Sequence, residues 1–192
     1  MTITSEFYSW LTPSNPETAE PPKIGQPAPI TPLITLEPNK RTIITFLRHC
    51  GCPFAEKTFI RIREAAKIHR DIDFIAVSHS AEKDTQTWLS SLPQHGSEPG
   101  NLRIIVDSEK EAYSAWGLGV SGWAHILDPR ALSSVYTLSK EGISNRPTES
   151  GSRWQTAGSF AVSEDGMIKW GGPARRSDDI ADFDEAVQAL EK

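Results

Sequence analysis

The feature that most constrains this chain is a short apolar run that ends in two closely spaced cysteines and a proline. Residues 42–47, TIITFL, are β-branched, aromatic or aliphatic, which is typical of a buried strand. Residues 48–52, RHCGC, follow directly, and Pro53 then occupies the position that proline favours at the start of a helix. Apolar residues recur at helical spacing after it, which predicts a helix as far as about Ile68.

Strand-like and helix-like segments alternate after this first helix. Alternation at this spacing predicts parallel β-α-β units, while an Asp-Gly turn near the end of the chain predicts a β-hairpin. Together they predict an α/β fold with a central mixed β-sheet flanked by helices. The predicted elements are strands at 73–77 and 104–106, helices through Leu89 and over 109–116, hairpin strands at 159–162 and 167–170, and a last helix over about 180–190.

The chain divides into an arm and one domain. Residues 1–23, rich in Pro, Ser, Thr and Glu, are predicted to be extended or disordered, and residues 24–192 to form the domain, with regular structure from about Ile30. Residues 118–157 form a long insertion before the hairpin. Because long loops in compact domains are usually functional covers, we expect it to face the substrate. Its candidate residues are Trp123, His125, Arg153 and Trp154.

Composition excludes several function classes. The net charge of −5 over 192 residues disfavours nucleic-acid binding, and no apolar run is long enough to predict a membrane span. The first 20 residues lack the pattern of a secretory signal, so we expect a cytoplasmic protein, in which two cysteines are more often catalytic or metal-binding than structural. No second Cys or His cluster accompanies them, so we expect neither a metal nor another cofactor.

The position of Cys52 predicts a reactive thiol. Free N–H groups and the dipole at a helix N-terminus stabilise a thiolate, and Arg48 and His49 add positive potential nearby. Parallel strands end at one edge of a sheet, so His79 is also expected near this edge. The alternative is that Cys52, and still more Cys50, simply fills an apolar site, since cysteine is often buried and inert.

Several motifs resemble the alkyl hydroperoxide reductase/thiol-specific antioxidant (AhpC/TSA) family, a peroxiredoxin-like part of the thioredoxin-like superfamily, and within it the peroxiredoxin-like branch found in many fungal proteins. They are GQPAP at 25–29, FLRHCGCPF at 46–54, IAVS at 75–78, VD at 106–107, WGL at 116–118, GSRWQ at 151–155, GSF at 158–160 and DDI at 178–180.

The resemblance implies a thioredoxin-like fold in which the Cys52 thiolate attacks a peroxide and becomes a sulfenic acid. Cys50, or an external thiol such as glutathione or thioredoxin, then resolves it. We assign catalysis to Cys52, Cys50, His49 and Arg48. Substrate binding is assigned to Arg153, Trp154, Gly158 and Ser159. Peroxiredoxins often dimerise, so the resemblance also suggests a homodimer.

The chain also departs from the family pattern. Thr45 and His49 stand where peroxiredoxins carry a Pro and a Thr before the cysteine. Ala55 stands where the branch commonly carries a second cysteine, and Gly158 replaces the cis-proline expected before the late strand. These departures weaken the case for a peroxide substrate more than the case for a reactive thiol.

Three functions therefore remain compatible with the sequence. The first is a thiol-dependent oxidoreductase or peroxidase that uses Cys52 on a peroxide or a disulfide. The second is a non-redox or thiol-assisted enzyme of secondary metabolism that binds an organic substrate under the 118–157 insertion. The third is a binding or scaffold protein with a degenerate site.

Overall fold

A computed structural model of the chain describes residues 17–120, 129–144, 146 and 150–192. Residues 1–16, most of the predicted arm, lie outside this part of the chain. The described residues form one five-stranded sheet. Its strands are β1 (Thr42–Phe46), β2 (Asp73–Ser78), β3 (Leu102–Val106), β4 (Gly158–Val162) and β5 (Ile168–Pro173).

The strand order is β3-β2-β1-β4-β5, so β1 lies in the middle of the sheet. β1, β2 and β3 run parallel to one another, β4 runs antiparallel to β1, and β5 runs antiparallel to β4. The predicted parallel units and the predicted hairpin are therefore confirmed, and the sheet is mixed. The segment that follows β1 leaves from the carboxyl edge of the parallel strands, where open α/β sheets bind ligands.

Helices cover both faces of the sheet. They are α1 (Pro53–Ile68), α2 (Glu82–Ser90), α3 (Glu111–Ala115), α4 (Pro129–Lys140) and α5 (Phe183–Leu190). The predicted bounds of α1 are confirmed. α4 lies within the insertion, where the sequence showed no periodicity clear enough to place a helix.

Capping carboxylates start α3 and α5 later than predicted. Asp107 accepts the backbone N–H of Glu111 at 3.0 Å, and Asp182 accepts the backbone N–H of Asp184 at 3.1 Å. Each carboxylate satisfies an N–H group that has no partner within the helix, which fixes the helix start.

Regular structure also begins later than the predicted Ile30. The first strand residue is Thr42, and before it Pro27 forms only an isolated bridge with Met167. The backbone N–H of Ala28 donates to Gly166 O at 2.9 Å, which holds this stretch beside the hairpin turn.

Alternate residues of β1 point to two apolar cores. Ile43 contributes to the core beneath α1, α2 and α5, whereas Ile44 and Phe46 contribute to the core on the opposite face. There the Trp116 ring centroid lies 5.5 Å from that of Phe46 and 4.9 Å from that of Phe160. Each such buried side chain contributes about 1.5–3 kcal/mol of transfer free energy. This packing fixes the register of β1 and hence the position of the cysteines that follow it.

Residues 17–23 have no regular structure but lie against the end of α3. The backbone N–H of Ala19 donates to Ser114 O at 3.0 Å. Gly117 has a φ of +72°, and a Cβ at this position would lie 2.3 Å from Pro21 N. Glycine is therefore required there both by the left-handed backbone and by the close approach of the chain.

The described part of the insertion packs on α1. Leu138 and Ile143 are buried in the same core as the first turns of that helix. Lys57 and Glu141 form an ion pair with an N–O distance of 2.6 Å. The insertion therefore covers α1 next to the cysteine segment.

Candidate thiol site and adjoining cleft

Cys52 is the N-cap residue of α1. Its backbone is extended, with φ −72° and ψ 127°, and its carbonyl accepts the N–H of Glu56 at 3.2 Å. Within the described residues the Cys52 side chain makes no capping hydrogen bond, and Pro53 provides no N–H at the first helical position. The sequence-predicted position of Cys52, at the start of the helix, is therefore the observed one. Its side chain is buried.

Cys50 lies among hydroxyl groups at the end of β2 and the start of α2. Its Sγ is 3.6 Å from Ser78 Oγ and 3.7 Å from Thr85 Oγ1, and its backbone N–H donates to Ser80 Oγ at 3.0 Å. Burial raises the pKa of the Cys50 thiol, and these hydroxyl contacts oppose that shift. Cys50 is thus a buried neutral thiol, and no disulfide joins it to Cys52.

Arg48 is a buried cation with incomplete hydrogen bonding. Only 7% of its surface is exposed, and its Nη2 donates to the carbonyl of Arg153 at 2.9 Å. Its Nε and Nη1 have no hydrogen-bond partner among the described residues. No carboxylate in the same set forms an ion pair with it. Such unmet donors are costly in a protein interior.

His49 is a buried neutral imidazole. Neither ring nitrogen has a hydrogen-bond partner within the described parts of the chain. Burial, followed by the positive charges of Arg48 and Arg153, holds the pKa of His49 well below its usual range. His49 therefore adds no positive charge near Cys52, contrary to the sequence-based expectation.

His79 holds a later segment against the sheet edge. Its Nε2 lies 3.1 Å from the backbone nitrogen of Ser152 and 3.2 Å from the carbonyl oxygen of the same residue, and its Nδ1 lies 3.4 Å from the Tyr113 hydroxyl. That hydroxyl reaches the carbonyls of Leu47 and Val77 at 2.7 and 2.8 Å. Burial lowers the pKa of His79 to about 3. The residue is structural in this arrangement.

A cleft of about 560 Å³ lies between the N-terminal ends of α1 and α5. Thr45 and Ser159 face each other on its floor, where the Ser159 hydroxyl donates to Thr45 Oγ1 at 3.2 Å. The lining residues come from the end of β1 and the segment after it, from α1, β4 and β5, and from α5 and the segment before it. Ile24 and Ala157 complete the described lining. Arg48 and Ala55 are among the lining residues, on either side of Cys52 in the sequence, but Cys52 itself is not.

The residues assigned to substrate binding divide into two pairs. Gly158 and Ser159 line the cleft. Arg153 and Trp154 do not: the Arg153 carbonyl accepts from Arg48, and the Trp154 side chain is buried. Of the described residues of the insertion, only Ala157 lines the cleft. Trp123 and His125 lie outside the described residues.

Comparisons with solved structures identify the fold. The chain superposes on a peroxiredoxin-like protein from Aquifex aeolicus with a TM-score of 0.61 and 12% identity, covering 91% of this chain and 89% of the other. A thiol peroxidase from Chromobacterium violaceum superposes on it with a TM-score of 0.61 and 13% identity, covering 92% of this chain and 90% of the other. A putative thiol:disulfide interchange protein DsbE from Chlorobium tepidum superposes with a TM-score of 0.54 and 13% identity, covering 89% of this chain and 99% of the other.

The chain has the thioredoxin-like fold. No protein-family model matches it, and no curated protein does. At identities this low the likeness shows the fold alone, and activity has to be argued from the site.

On this thioredoxin-like scaffold the insertion covers the thiols. The backbone N–H of Arg146 donates to Gly51 O at 2.9 Å, between the two cysteines. Its guanidinium bonds the Glu56 carboxylate at 3.1 Å and also the Ser91 hydroxyl. Burial raises the pKa of Glu56, and the charge of Arg146 opposes this shift. Sequence reasoning missed both Arg146 and Glu56, because 90 residues separate the partners.

Within the described ranges, no three His, Cys, Asp or Glu side chains are grouped so that they could hold a metal ion. None of the helices described is long and apolar enough to cross a bilayer.

Proposed function

We propose that the protein is a thiol-dependent oxidoreductase whose nucleophile is the thiolate of Cys52. The observation that carries this proposal is the position of Cys52 at the N-terminus of the 16-residue helix α1, where its own side chain makes no capping hydrogen bond. The buried guanidinium of Arg48, with two unpartnered nitrogens, lies close by in the same segment. Both features favour negative charge, on the sulfur itself and on an oxygen or sulfur that it attacks. The structural neighbours, two peroxidase-like proteins and a thiol:disulfide interchange protein, agree with such chemistry.

With a hydroperoxide as substrate, the Cys52 thiolate attacks the terminal oxygen and the O–O bond breaks. The alkoxide leaves as an alcohol once it takes up a proton, and the sulfur, oxidised by two electrons, becomes a sulfenic acid. A thiol then condenses with the sulfenic acid to give a mixed disulfide and water. A second thiol displaces Cys52 from this disulfide and regenerates it. A disulfide substrate enters the same cycle at the mixed-disulfide step.

We assign resolution to an external thiol rather than to Cys50. The Cys50 sulfur is in contact with Ser78 and Thr85, and burial keeps it protonated by raising its pKa. A disulfide between residues two apart also closes a small strained ring. Cys50 therefore acts as a packing residue that positions the loop. Small external thiols are abundant in reducing compartments, which fits a cytoplasmic location.

Arg48 and His49 have different roles in this proposal. The guanidinium of Arg48 orients the substrate oxygen and stabilises the charge that develops on it. His49 is neutral and has both ring nitrogens unpartnered in the described structure, so its ring N–H can donate a hydrogen bond to the leaving oxygen, while water supplies the proton that the alkoxide takes up.

Stopped-flow oxidation of the reduced protein tests the proposal. We expect Cys52 to react with hydrogen peroxide, an organic hydroperoxide or a small disulfide much faster than free cysteine does, and the Cys52→Ser variant to show no such phase. The matched control is Cys50→Ser, which should keep the fast phase. After one equivalent of peroxide without a thiol, mass spectrometry should show one added oxygen. A loss of two hydrogens would instead make Cys50 the resolving thiol.

The cleft favours a second candidate, a non-redox enzyme that binds an organic substrate. Its volume of about 560 Å³ far exceeds the need of hydrogen peroxide, and Arg48, Thr45 and Ser159 supply polar groups. If Cys52 reacts no faster than free cysteine with any of the three oxidants, the redox proposal fails and this candidate takes its place. Thiols that also resist a maleimide in the native protein would favour a binding protein.

A further inference from the structure

Ser80 joins the thiol loop, residues 48–52, to the insertion. Its hydroxyl accepts the backbone N–H of Cys50 at 3.0 Å and donates to the carbonyl of Ser150 at 3.2 Å. A serine hydroxyl has one proton, so the bond to Ser150 leaves the lone pairs of the oxygen for Cys50. Both Ser80 and Cys50 are buried. Removal of this hydroxyl would leave the Cys50 N–H without its acceptor in the protein interior, where unpaired backbone groups are rare.

The Ser80 hydroxyl is held in one orientation by its surroundings. The backbone N–H of Ser80 donates to Ser78 Oγ at 3.3 Å, and its carbonyl accepts the hydroxyl of Thr85 at 3.2 Å. Gly151, with a φ of +80°, approaches so closely that a Cβ there would lie 2.8 Å from Ser80 Oγ. Glycine fits this left-handed and crowded position without moving the hydroxyl. Three separate parts of the chain therefore fix the acceptor of the Cys50 N–H.

A tight turn connects the Cys50 amide to the start of α1. The N–H of Cys52 donates to the carbonyl of His49 at 3.1 Å, and Gly51 in this turn has a φ of +103°. The Cys52 carbonyl then accepts the N–H of Glu56 at 3.2 Å in the first turn of the helix. Because the turn is short and closed by a hydrogen bond, a shift of the Cys50 amide also shifts Cys52. The Cys52 sulfur would then leave the helix end whose N–H groups and dipole favour a thiolate.

We propose that Ser80 is a positioning residue of the thiol site. Its hydroxyl holds the Cys50 amide and thereby keeps the Cys52 sulfur at the N-terminus of α1. Ser80 acts through the backbone of Cys50 rather than on the reacting atoms. The inference rests on the proposed function for its consequence, namely that the attack of Cys52 on an oxidant depends on Ser80. The positioning itself affects the Cys52 thiolate in any reaction.

Alkylation of Cys52 by iodoacetamide tests this role in the whole reduced chain. The rate is followed at that residue by peptide mass spectrometry between about pH 6 and pH 10. Ser80→Ala should move the midpoint of the pH–rate profile upward by up to about 0.7 pH unit, the equivalent of a lost helix-dipole interaction. The midpoint reports the thiolate, whereas a change in access to Cys52 alters only the plateau rate. Hydrogen exchange of the Cys50 amide, measured by NMR, should become faster in the same variant.

The matched control is Thr85→Val, which removes a buried hydroxyl of the same cluster but leaves the Cys50 N–H bonded to Ser80. It should lower stability to urea as Ser80→Ala does, yet keep the midpoint of the parent protein. Gly151→Ala is a second variant that retains Ser80. Its added methyl turns the Ser80 hydroxyl away from Cys50, so the midpoint should again move upward. An unchanged midpoint in Ser80→Ala, or an equal shift in Thr85→Val, would overturn the inference.

The positioning role and the proposed function fail separately. A shifted midpoint in a protein whose Cys52 reacts with oxidants no faster than free cysteine supports the positioning role and removes the proposed function. Conversely, fast oxidation of Cys52 together with parental midpoints in Ser80→Ala and Gly151→Ala leaves the proposed function intact and refutes the role of Ser80.

Discussion

The guanidinium of Arg146 bonds the buried carboxylate of Glu56 at 3.1 Å, while the backbone N–H of the same arginine donates to Gly51 between the two cysteines. One residue of the insertion thus joins the loop that carries the thiols to the first turns of the helix that follows them. The covering segment, residues 138–144 with Arg146, also places Leu138 and Ile143 in the core that contains both cysteines. Access to Cys52 therefore depends on contacts that lie far from it in sequence.

Arg146→Met is expected to expose Cys52. The substitution leaves the buried Glu56 carboxylate without its partner, which costs about 1–3 kcal/mol and loosens the covering segment. Alkylation of Cys52 by iodoacetamide in the native protein should become several-fold faster. Arg41→Met is the matched control, because it removes an exposed ion pair to Asp71 that involves no residue of the covering segment, and it should change stability by less than about 1 kcal/mol. Equal alkylation rates in the two variants would contradict the covering role.

Truncation of two buried arginines should affect the free energy of unfolding differently. Arg48 has no carboxylate partner in the described structure, so Arg48→Met should leave the free energy of unfolding unchanged or raise it by about 1–3 kcal/mol. Arg63 Nη1 lies 3.5 Å from Glu98 Oε1, and Arg63 Cζ lies 5.9 Å from the centroid of the Phe59 ring. Arg63→Met should therefore lower the free energy of unfolding. Urea unfolding measures both. A loss of stability in Arg48→Met as large as that in Arg63→Met would show that Arg48 serves the fold rather than a ligand.

Acid should destabilise the protein through its buried histidines. Burial lowers the pKa of His79 from 6.5 to about 3, so unfolding takes up a proton below pH 6.5. The contribution of His79 to the free energy of unfolding is fully present above that pH and falls by about 1.4 kcal/mol per pH unit as the pH drops toward 3. His49, whose pKa is also lowered by burial, acts in the same direction. Urea unfolding between about pH 5 and pH 8 keeps most carboxyl groups ionised during the comparison.

The variant His79→Gln should reduce this slope, and the exposed His95→Gln should leave it unchanged. His79→Gln also loses part of the bond network that holds Ser152, so its stability at neutral pH should fall as well. A slope identical to that of the parent protein would assign the acid sensitivity to other groups.

Much of the fold could be predicted because its signals are local. The apolar run of β1, the proline after Cys52 and the helical spacing that follows are all short-range patterns, and their elements form where predicted. Element starts were less accurate: side-chain caps from Asp107 and Asp182 begin α3 and α5 later than the apolar pattern suggests. The Asp-Gly turn of the hairpin was readable from the chain because few residue types favour such turns.

The start of a helix at Cys52 could be placed from local signals, since strand, turn and proline are adjacent in the chain. The surroundings of Cys52 follow from the tertiary structure. The partner of Arg48 lies 105 residues away, the Arg146 that covers the loop lies 90 residues from Glu56, and the cleft forms where α1 meets β4, β5 and α5. Burial, charge and unmet hydrogen bonds depend on such distant contacts, which local periodicity does not encode. For this reason the thiol could be located from the sequence, whereas its neutral histidine and the cleft beside it could not.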